Sequence, residues 1–237
     1  MHVFISDAHI RTDRSSRGQL LVRFLREMRH RLTNLYILGD LFEFWFEYNR
    51  AFPKYYFTLL ATLYNIVQDG KGVHYVMGNH EVTMGGFLAG LGFKVHRGPT
   101  IFEIDGRRVL VEHGHKIDRR PWTVLWENLL TSKVNHAVYR LLHPDAGIIL
   151  AQRIAHLSRK QHQSTRLECM LEDYARDKLQ DEDVDVVILG HSHTPVFRRL
   201  PDNKYYINAG DWINHFSYVV IDGNTTALKY YGPHDRP

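Results

Sequence analysis

The chain has 237 residues, 44% hydrophobic and 24% charged, enough to bury a core in one large domain or in a domain carrying an insertion. A single cysteine, Cys169, excludes an internal disulfide framework and suits a reducing cytoplasm, and no apolar run reaches the roughly 20 residues of a membrane span. The net charge of +4 suits an anionic partner without choosing between nucleic acid, phospholipid and a phosphorylated metabolite.

The first segment, MHVFIS, reads directly as a strand, and no targeting segment is expected ahead of it. Val3–Ser6 runs into Asp7-Ala8-His9. Ser16–His30 follows with Leu20, Leu21, Phe24, Leu25 and Met28 at helical spacing and arginines around them. A second strand, Leu35–Leu38, ends in Gly39-Asp40, and Pro53–Gln68 predicts a second helix. Val73–Met77 leads into Gly78-Asn79-His80, and Val109–Glu112 into His113-Gly114-His115. Asp105-Gly106 and Asp222-Gly223 are hairpin turns between alternating apolar runs. From about Lys116 to Leu179 the strand rhythm stops. Trp122, Leu125, Trp126, Leu129 and Leu130 form an amphipathic stripe, and further helical pattern follows in 147–161 and 167–179. Val184–Leu189 then restores a strand, followed by Gly190-His191-Ser192-His193. Helix-linked strands early and hairpins later predict mixed sheets, an α+β chain with a helical insertion.

Each polar group after a strand has an ordinary reading: aspartate as a turn former or helix cap, Gly-Asn as a turn, a buried histidine as a hydrogen-bonded core residue. Asp7, His9, Asp40, Asn79, His113, His191 and His193, in the order D-x-H, G-D, G-N-H, H-G, G-H-x-H across five strand ends, are not reproduced by those readings together. His191 and His193, one residue apart on an extended strand end, would point in different directions.

In this order the chain resembles the calcineurin-like metallophosphoesterases, from Asp7 to the last hairpins. The resemblance implies a four-layer α/β/β/α sandwich of two mixed sheets. It implies a core of 1–115 and 180–237 with a helical cap insertion at 116–179. It also implies two divalent ions: Asp7, His9, Asp40 and His193 for one, and Asp40, Asn79, His113 and His191 for the other. Nitrogen and oxygen donors without thiolate suit Mn²⁺, Fe or Zn²⁺ without choosing among them; Mn²⁺ is the expected ion. His80 is the expected catalytic acid beside the bridging Asp40.

Three stretches, LGDLFEFWFEY (38–48), RLLHPDAGIILAQ (140–152) and NAGDW (208–212), are similar to the UDP-2,3-diacylglucosamine hydrolases of lipid A biosynthesis. This likeness implies release of UMP and 2,3-diacylglucosamine 1-phosphate (lipid X) from a UDP-linked diacylated glucosamine, with the cap receiving the acyl chains. It also implies a cytoplasmic enzyme held peripherally on the anionic inner membrane of a bacterium, with no obligate protein partner and no nucleic acid. Asn79, His80, His191, Ser158, Arg159, Lys160 and Arg166 are the candidate substrate contacts, and Arg11, Arg14 and the first helix could rest on lipid headgroups. Two departures are visible. Gly78-Asn79-His80-Glu81 stands where many such hydrolases have G-N-R-D, and His115 stands where they tend to have Asp. A nuclease or cyclic-nucleotide phosphodiesterase with the same metal site is the competing enzyme reading. A metal-stabilised binding scaffold is the non-catalytic one.

Overall fold

The alternation of side chains along short strands sets the layers. In β1 (His2–Ile5), Val3 and Ile5 face one way and Phe4 the other. In β8 (Arg107–Val111), Val109 and Val111 face inward and Leu110 outward. The computed structural model describes residues 1–48, 51–84, 86–118, 165–180 and 183–232, together with 132, 143 and 147.

One sheet takes β1, β2 (Asn34–Leu38), β4 (Gly72–Val76), β6 (Lys94–His96), β12 (Ser217–Asp222) and β13 (Thr225–Tyr230), in the order β13-β12-β1-β2-β4-β6. β1, β2, β4 and β6 are parallel, with Val3 opposite Leu35 and Ile5 opposite Ile37, while β12 runs antiparallel to β1. The second sheet has the order β10-β11-β9-β8-β7, from β7 (Thr100–Ile104), β8, β9 (Val186–Leu189), β10 (Val196–Arg199) and β11 (Tyr205–Asn208). Its β8, β9 and β11 are parallel and its two edges antiparallel. Both sheets are mixed, as the sequence pattern predicts, and the two Asp-Gly turns close β7–β8 and β12–β13.

Phe4, Tyr36, Leu38, Val76, Val219 and Ile221 of the first sheet pack against Val109, Val111, Val186, Ile188 and Ile207 of the second. On the outer face of the first sheet lie α1 (Ser16–Met28) and α2 (Phe57–Gln68). Ser15 caps α1 by accepting the Gly18 N–H at 3.1 Å. On the outer face of the second sheet lies α4 (Thr165–Gln180), whose Leu167, Leu171, Ala175 and Leu179 meet Leu110, Val187, Leu189 and Tyr206. The result is helix, sheet, sheet, helix. α3 (Phe87–Gly90) is a single turn ahead of β6.

The stretch expected as an insertion, 116–179, lies mostly outside the described residues, including Trp122, Leu125, Trp126, Leu129 and Leu130. Its last part is α4, which packs on the second sheet as an outer layer. The sequence pattern did not anticipate a small parallel pair, β3 (Trp45–Phe46) with β5 (Glu81–Thr83). It clips the segment after Asp40 to the segment after Asn79, with Trp45 N–H donating to the His80 carbonyl at 2.9 Å.

Candidate metal centre

The parallel strands β1, β2, β4, β8 and β9 all deliver polar residues just beyond their carboxyl ends, where an α/β-type sheet opens a crevice. Asp7, His9, Asp40, His113, His191 and His193 are buried there, and Asn79 is half-buried. Three sets bring one ligand atom per residue within 4.8 Å of one another: Asp7, His9 and His193; His9, Asp40 and His80; and Asp40, His113 and His191. Asp40 is common to two of them. Its Oδ2 lies 3.7 Å from His9 Nε2, 3.8 Å from His80 Nε2 and 3.4 Å from His113 Nε2. Asp7 Oδ1 lies 3.4 Å from His193 Nε2 and 3.7 Å from His9 Nε2. The Asn79 carbonyl oxygen is 3.2 Å from His113 Nε2.

The backbone is bent hard to achieve this. Asp7, His9, Asp40, His191 and His193 all have φ between 43° and 68°, left-handed values that cost a non-glycine residue free energy. This corrects the expected geometry of the last pair: His191 and His193 do not alternate along an extended strand. β9 ends at Leu189, and two left-handed residues send one ring toward Asp40 and His113 and the other toward Asp7 and His9. Close approach also fixes two glycines. A Cβ on Gly78 would sit 2.2 Å from Asp40 Oδ1, and one on Gly190 2.0 Å from Ser6 Oγ.

Surrounding groups lock each ligand. His113 Nδ1 lies 2.7 Å from the Leu38 carbonyl and His80 Nδ1 2.7 Å from the Glu43 carbonyl, so each Nδ1–H donates outward and Nε2 is turned into the site. The His80 N–H donates to Asp40 Oδ1 at 3.0 Å, and the His191 N–H and the Ser6 hydroxyl donate to Asp7 Oδ2. Glu81 accepts the N–H groups of Asp40 and Gly78 at 3.0 and 2.8 Å and the Tyr75 hydroxyl at 2.9 Å. It thereby ties the β2 loop to the β4 loop. Its carboxyl is pushed up to about 8, by burial first and then by the Asp40 charge.

Burial opposes the charge on Asp40, yet His80 and His113 hold its carboxyl well below the usual carboxylate range; His193 and His113 also lower Asp7 against its burial. Against burial, Asp40 and Asp7 raise His113 to about 10, and Asp7 raises His193. Among the described residues, Asp7 Oδ1 and both ring nitrogens of His9 are buried without a hydrogen-bond partner. Buried anions facing imidazole lone pairs, with acceptors left unsatisfied, are what a divalent cation satisfies. The residues fit such a group.

Sequence reasoning missed Asp211. It lies fully buried after β11, with Oδ2 3.5 Å from His193 Nδ1, and its Oδ1 accepts the N–H groups of Ile213, Asn214 and His215 at 3.2, 2.9 and 3.0 Å. Burial opposes ionisation, but His193 first and then the Asn214 and His215 N–H groups bring its carboxyl down to about 2. Its Oδ2 makes no hydrogen bond among the described residues and faces the His193 ring as an ion-pair partner, on the side of the ring away from Asp7. The available signal was its place in NAGDW, one more polar cluster after one more strand. His115 begins a short 3-10 turn after Gly114, with its ring 5.3 Å from that of His113 and 6.3 Å from that of His191. Of the expected substrate contacts, Arg166 is exposed at the start of α4. That end of the helix touches the His191–His193 loop through the Thr194 hydroxyl, which donates to Glu168 at 2.7 Å. Ser158, Arg159 and Lys160 lie outside the described residues.

Among known proteins, the chain is similar to the UDP-2,3-diacylglucosamine hydrolase of Porphyromonas gingivalis, at 28% identity over 95% of each chain. It is similar to the protein of the same name from Chromobacterium violaceum at 28% identity, over 92% of this chain and 94% of that one. Vps29 from Entamoeba histolytica, solved with zinc, covers 99% of this chain and 93% of its own at 14% identity and a TM-score of 0.47, a distance at which the likeness says nothing of function. The family model described as calcineurin-like phosphoesterase matches residues 3–195. The chain therefore belongs to the calcineurin-like phosphoesterases and is a metal-dependent hydrolase.

Proposed function

We propose that this chain is a dinuclear hydrolase that cleaves the pyrophosphate of UDP-2,3-diacylglucosamine, releasing UMP and 2,3-diacylglucosamine 1-phosphate. The observation that carries the chemistry is Asp40, one carboxylate within 4 Å of imidazoles from three separate loops. The substrate rests on the relatives of that name, aligned with this chain over nearly its full length. Asp7, His9, Asp40 and His193 would hold one ion, and Asp40, Asn79, His113 and His191 the other, with Mn²⁺ the first candidate and Fe or Zn²⁺ the alternatives. Such a pair supplies an acidified water and neutralises charge on the phosphoryl oxygens.

The remaining work falls to the protein. His80, its Nδ1–H held by the Glu43 carbonyl, presents Nε2 beside Asp40. From there it donates a proton to the oxygen that leaves phosphorus, or a hydrogen bond to the equatorial oxygens. Asn79 and His191 border the same space as phosphate contacts. Arg166 and the basic stretch Ser158–Lys160 grip the remote phosphate, and the part of the 116–179 insertion ahead of α4 receives the acyl chains as a cap, α4 itself being a layer of the core. In this reading the enzyme works on the cytoplasmic side of the inner membrane of a lipid A-making bacterium, with no obligate protein partner and no nucleic acid bound. Among the described residues no helix is long and apolar enough to cross a membrane.

The test is a substrate panel with Mn²⁺. UMP release from UDP-2,3-diacylglucosamine, at a kcat/KM at least a hundredfold above that for cyclic nucleotides or single-stranded nucleic acid, is expected. Turnover of the nucleotides with no UMP from the lipid-linked sugar would overturn the reading.

A further inference from the structure

On the first sheet, Glu81 ties together the loops that carry Asp40 and Asn79. His113, His191 and His193 stand beyond β8 and β9 of the second sheet, and α4 is the helix packed outside those strands. The Lys204 ammonium, just ahead of β11, donates to the Leu179 carbonyl at 2.7 Å. The last turn of α4 therefore lies at the amino ends of the parallel strands, and its first turns lie at their carboxyl ends, beside the ligands.

Three contacts join this helix to the ligand loops. Leu110 faces α4, and Glu112, two residues on, faces the same way and is buried. Its Oε2 accepts the Tyr174 hydroxyl at 2.8 Å, immediately before His113 in the chain. The second contact is steric: a Cβ on Gly114, the residue after His113, would meet Leu171 Cδ2 at 3.1 Å, so the backbone between His113 and His115 lies against the helix. The third is the Thr194 hydroxyl, next to His193, which donates to Glu168 Oε1 at 2.7 Å. Glu168, Leu171 and Tyr174 recur at spacings of three, on one side of α4. The His113 carbonyl accepts the Gly190 N–H at 3.0 Å, which joins the two loops to each other. Packing on the sheet is served by the apolar row Leu167, Leu171, Ala175 and Leu179 and does not call for these two hydrogen bonds. Both fall on residues that adjoin a ligand.

We propose that α4 is a splint for the second-sheet half of the metal centre. Tyr174 and Glu168 are positioning residues: they hold the His113 loop and the His191–His193 loop at the spacing a divalent ion needs. Neither touches an ion or the substrate. They act as outer partners that fix the direction of ligands, a role whose loss weakens metal binding more than it weakens the fold. The inference rests on the two-ion reading above and is independent of the substrate.

The experiment is calorimetric titration of Mn²⁺ into the chelator-stripped full chain, with the melting temperature of the stripped protein measured alongside. Tyr174→Phe and Glu168→Ala should each weaken at least one bound Mn²⁺ by about tenfold, while the stripped protein melts within a few degrees of wild type. Glu168→Gln keeps an oxygen to accept the Thr194 hydroxyl and should bind Mn²⁺ as wild type does. Leu179 lies in the same apolar row, about 16 Å along the helix from Glu168. Leu179→Ala should melt lower and still bind Mn²⁺ with wild-type affinity, which separates positioning from stability. Wild-type affinity in both Tyr174→Phe and Glu168→Ala would overturn the proposal, as would an equal loss of affinity in Leu179→Ala. A single Mn²⁺ in the wild-type titration would refute the two-ion reading, and a tenfold loss of its affinity in Tyr174→Phe would still uphold the splint.

Discussion

Two groups of buried or half-buried histidines lie among the described residues, and they have different surroundings. His9, His113, His191 and His193 meet Asp7 and Asp40 at the strand ends. His2, His74 and His96 lie on the first sheet among aromatic rings. His74 stacks on Tyr36 at 4.8 Å and on His96 at 5.4 Å, with Phe102 edge-on at 5.0 Å. The nearest carboxylate pairing in this second group is Asp105, 3.9 Å from His2 Nε2. Burial lowers both groups, and the balance of neighbours differs from ring to ring. Asp40 and Asp7 raise His113 to about 10, but burial and then His80 lower His9, between the same two carboxylates, to about 3; burial, helped by Lys94 and His96, lowers His74 to about 4. A buried imidazole becomes a cation holder where a carboxylate oxygen left free by its other donors converges on it, as Asp7 Oδ1 does beside His9 and His193.

The comparison breaks most visibly at Asp40. Asp40→Ala removes the carboxylate that joins the two halves of the site, and turnover should fall by at least about a thousandfold while circular dichroism remains that of a folded protein. Retained activity in that variant would refute a shared bridging ligand. A smaller loss, about a hundred- to a thousandfold in kcat with unchanged metal content, is expected for His80→Ala, because His80 acts on the substrate through Nε2. Loss of metal instead of rate would move His80 into the ligand set.

The aromatic group gives the smallest effect, on stability. The folded-state pKa of His74 lies below the unfolded value near 6.5, and those of His2 and His96 are also lowered. Between pH 6.5 and about 4 these histidines therefore bind more protons in the unfolded chain than in the folded one, so the stability they contribute above pH 6.5 is lost as the pH falls through that window. His113 has the opposite sign in the metal-free protein: its contribution is present below 6.5 and lost as the pH rises toward about 10. His74→Phe keeps a ring between Tyr36 and Phe102 and should flatten the acid side of a urea-midpoint profile. A profile unchanged by that substitution would remove His74 from the account.

Much of this was legible in the residues. β-branched runs ending in Gly-Asp, Gly-Asn-His and Gly-His-Ser-His place the strands and the polar residues after them, because period-two burial and turn chemistry are local. The Asp-Gly turns mark the hairpins for the same reason. What the sequence did not disclose is non-local or conformational. The β3–β5 clip is two residues on one side, too short for a pattern, and depends on Glu81 drawing the Asp40 and Gly78 amides together. The positive φ of His191 and His193 follows from the ligands they must reach, not from their own preferences. Asp211 faces His193 from the end of β11, which is brought beside β9 only by the sheet pairing, so its partner is invisible in the local string.

The central claim is that Asp40 joins two cation sites, and metal content tests it most directly. The chain should be purified, stripped with chelator, reloaded with Mn²⁺ under saturating conditions, desalted and measured by elemental analysis. Two ions per wild-type chain, falling to one or none in Asp40→Ala, is the predicted result. One ion per wild-type chain, or two that persist without Asp40, would contradict it.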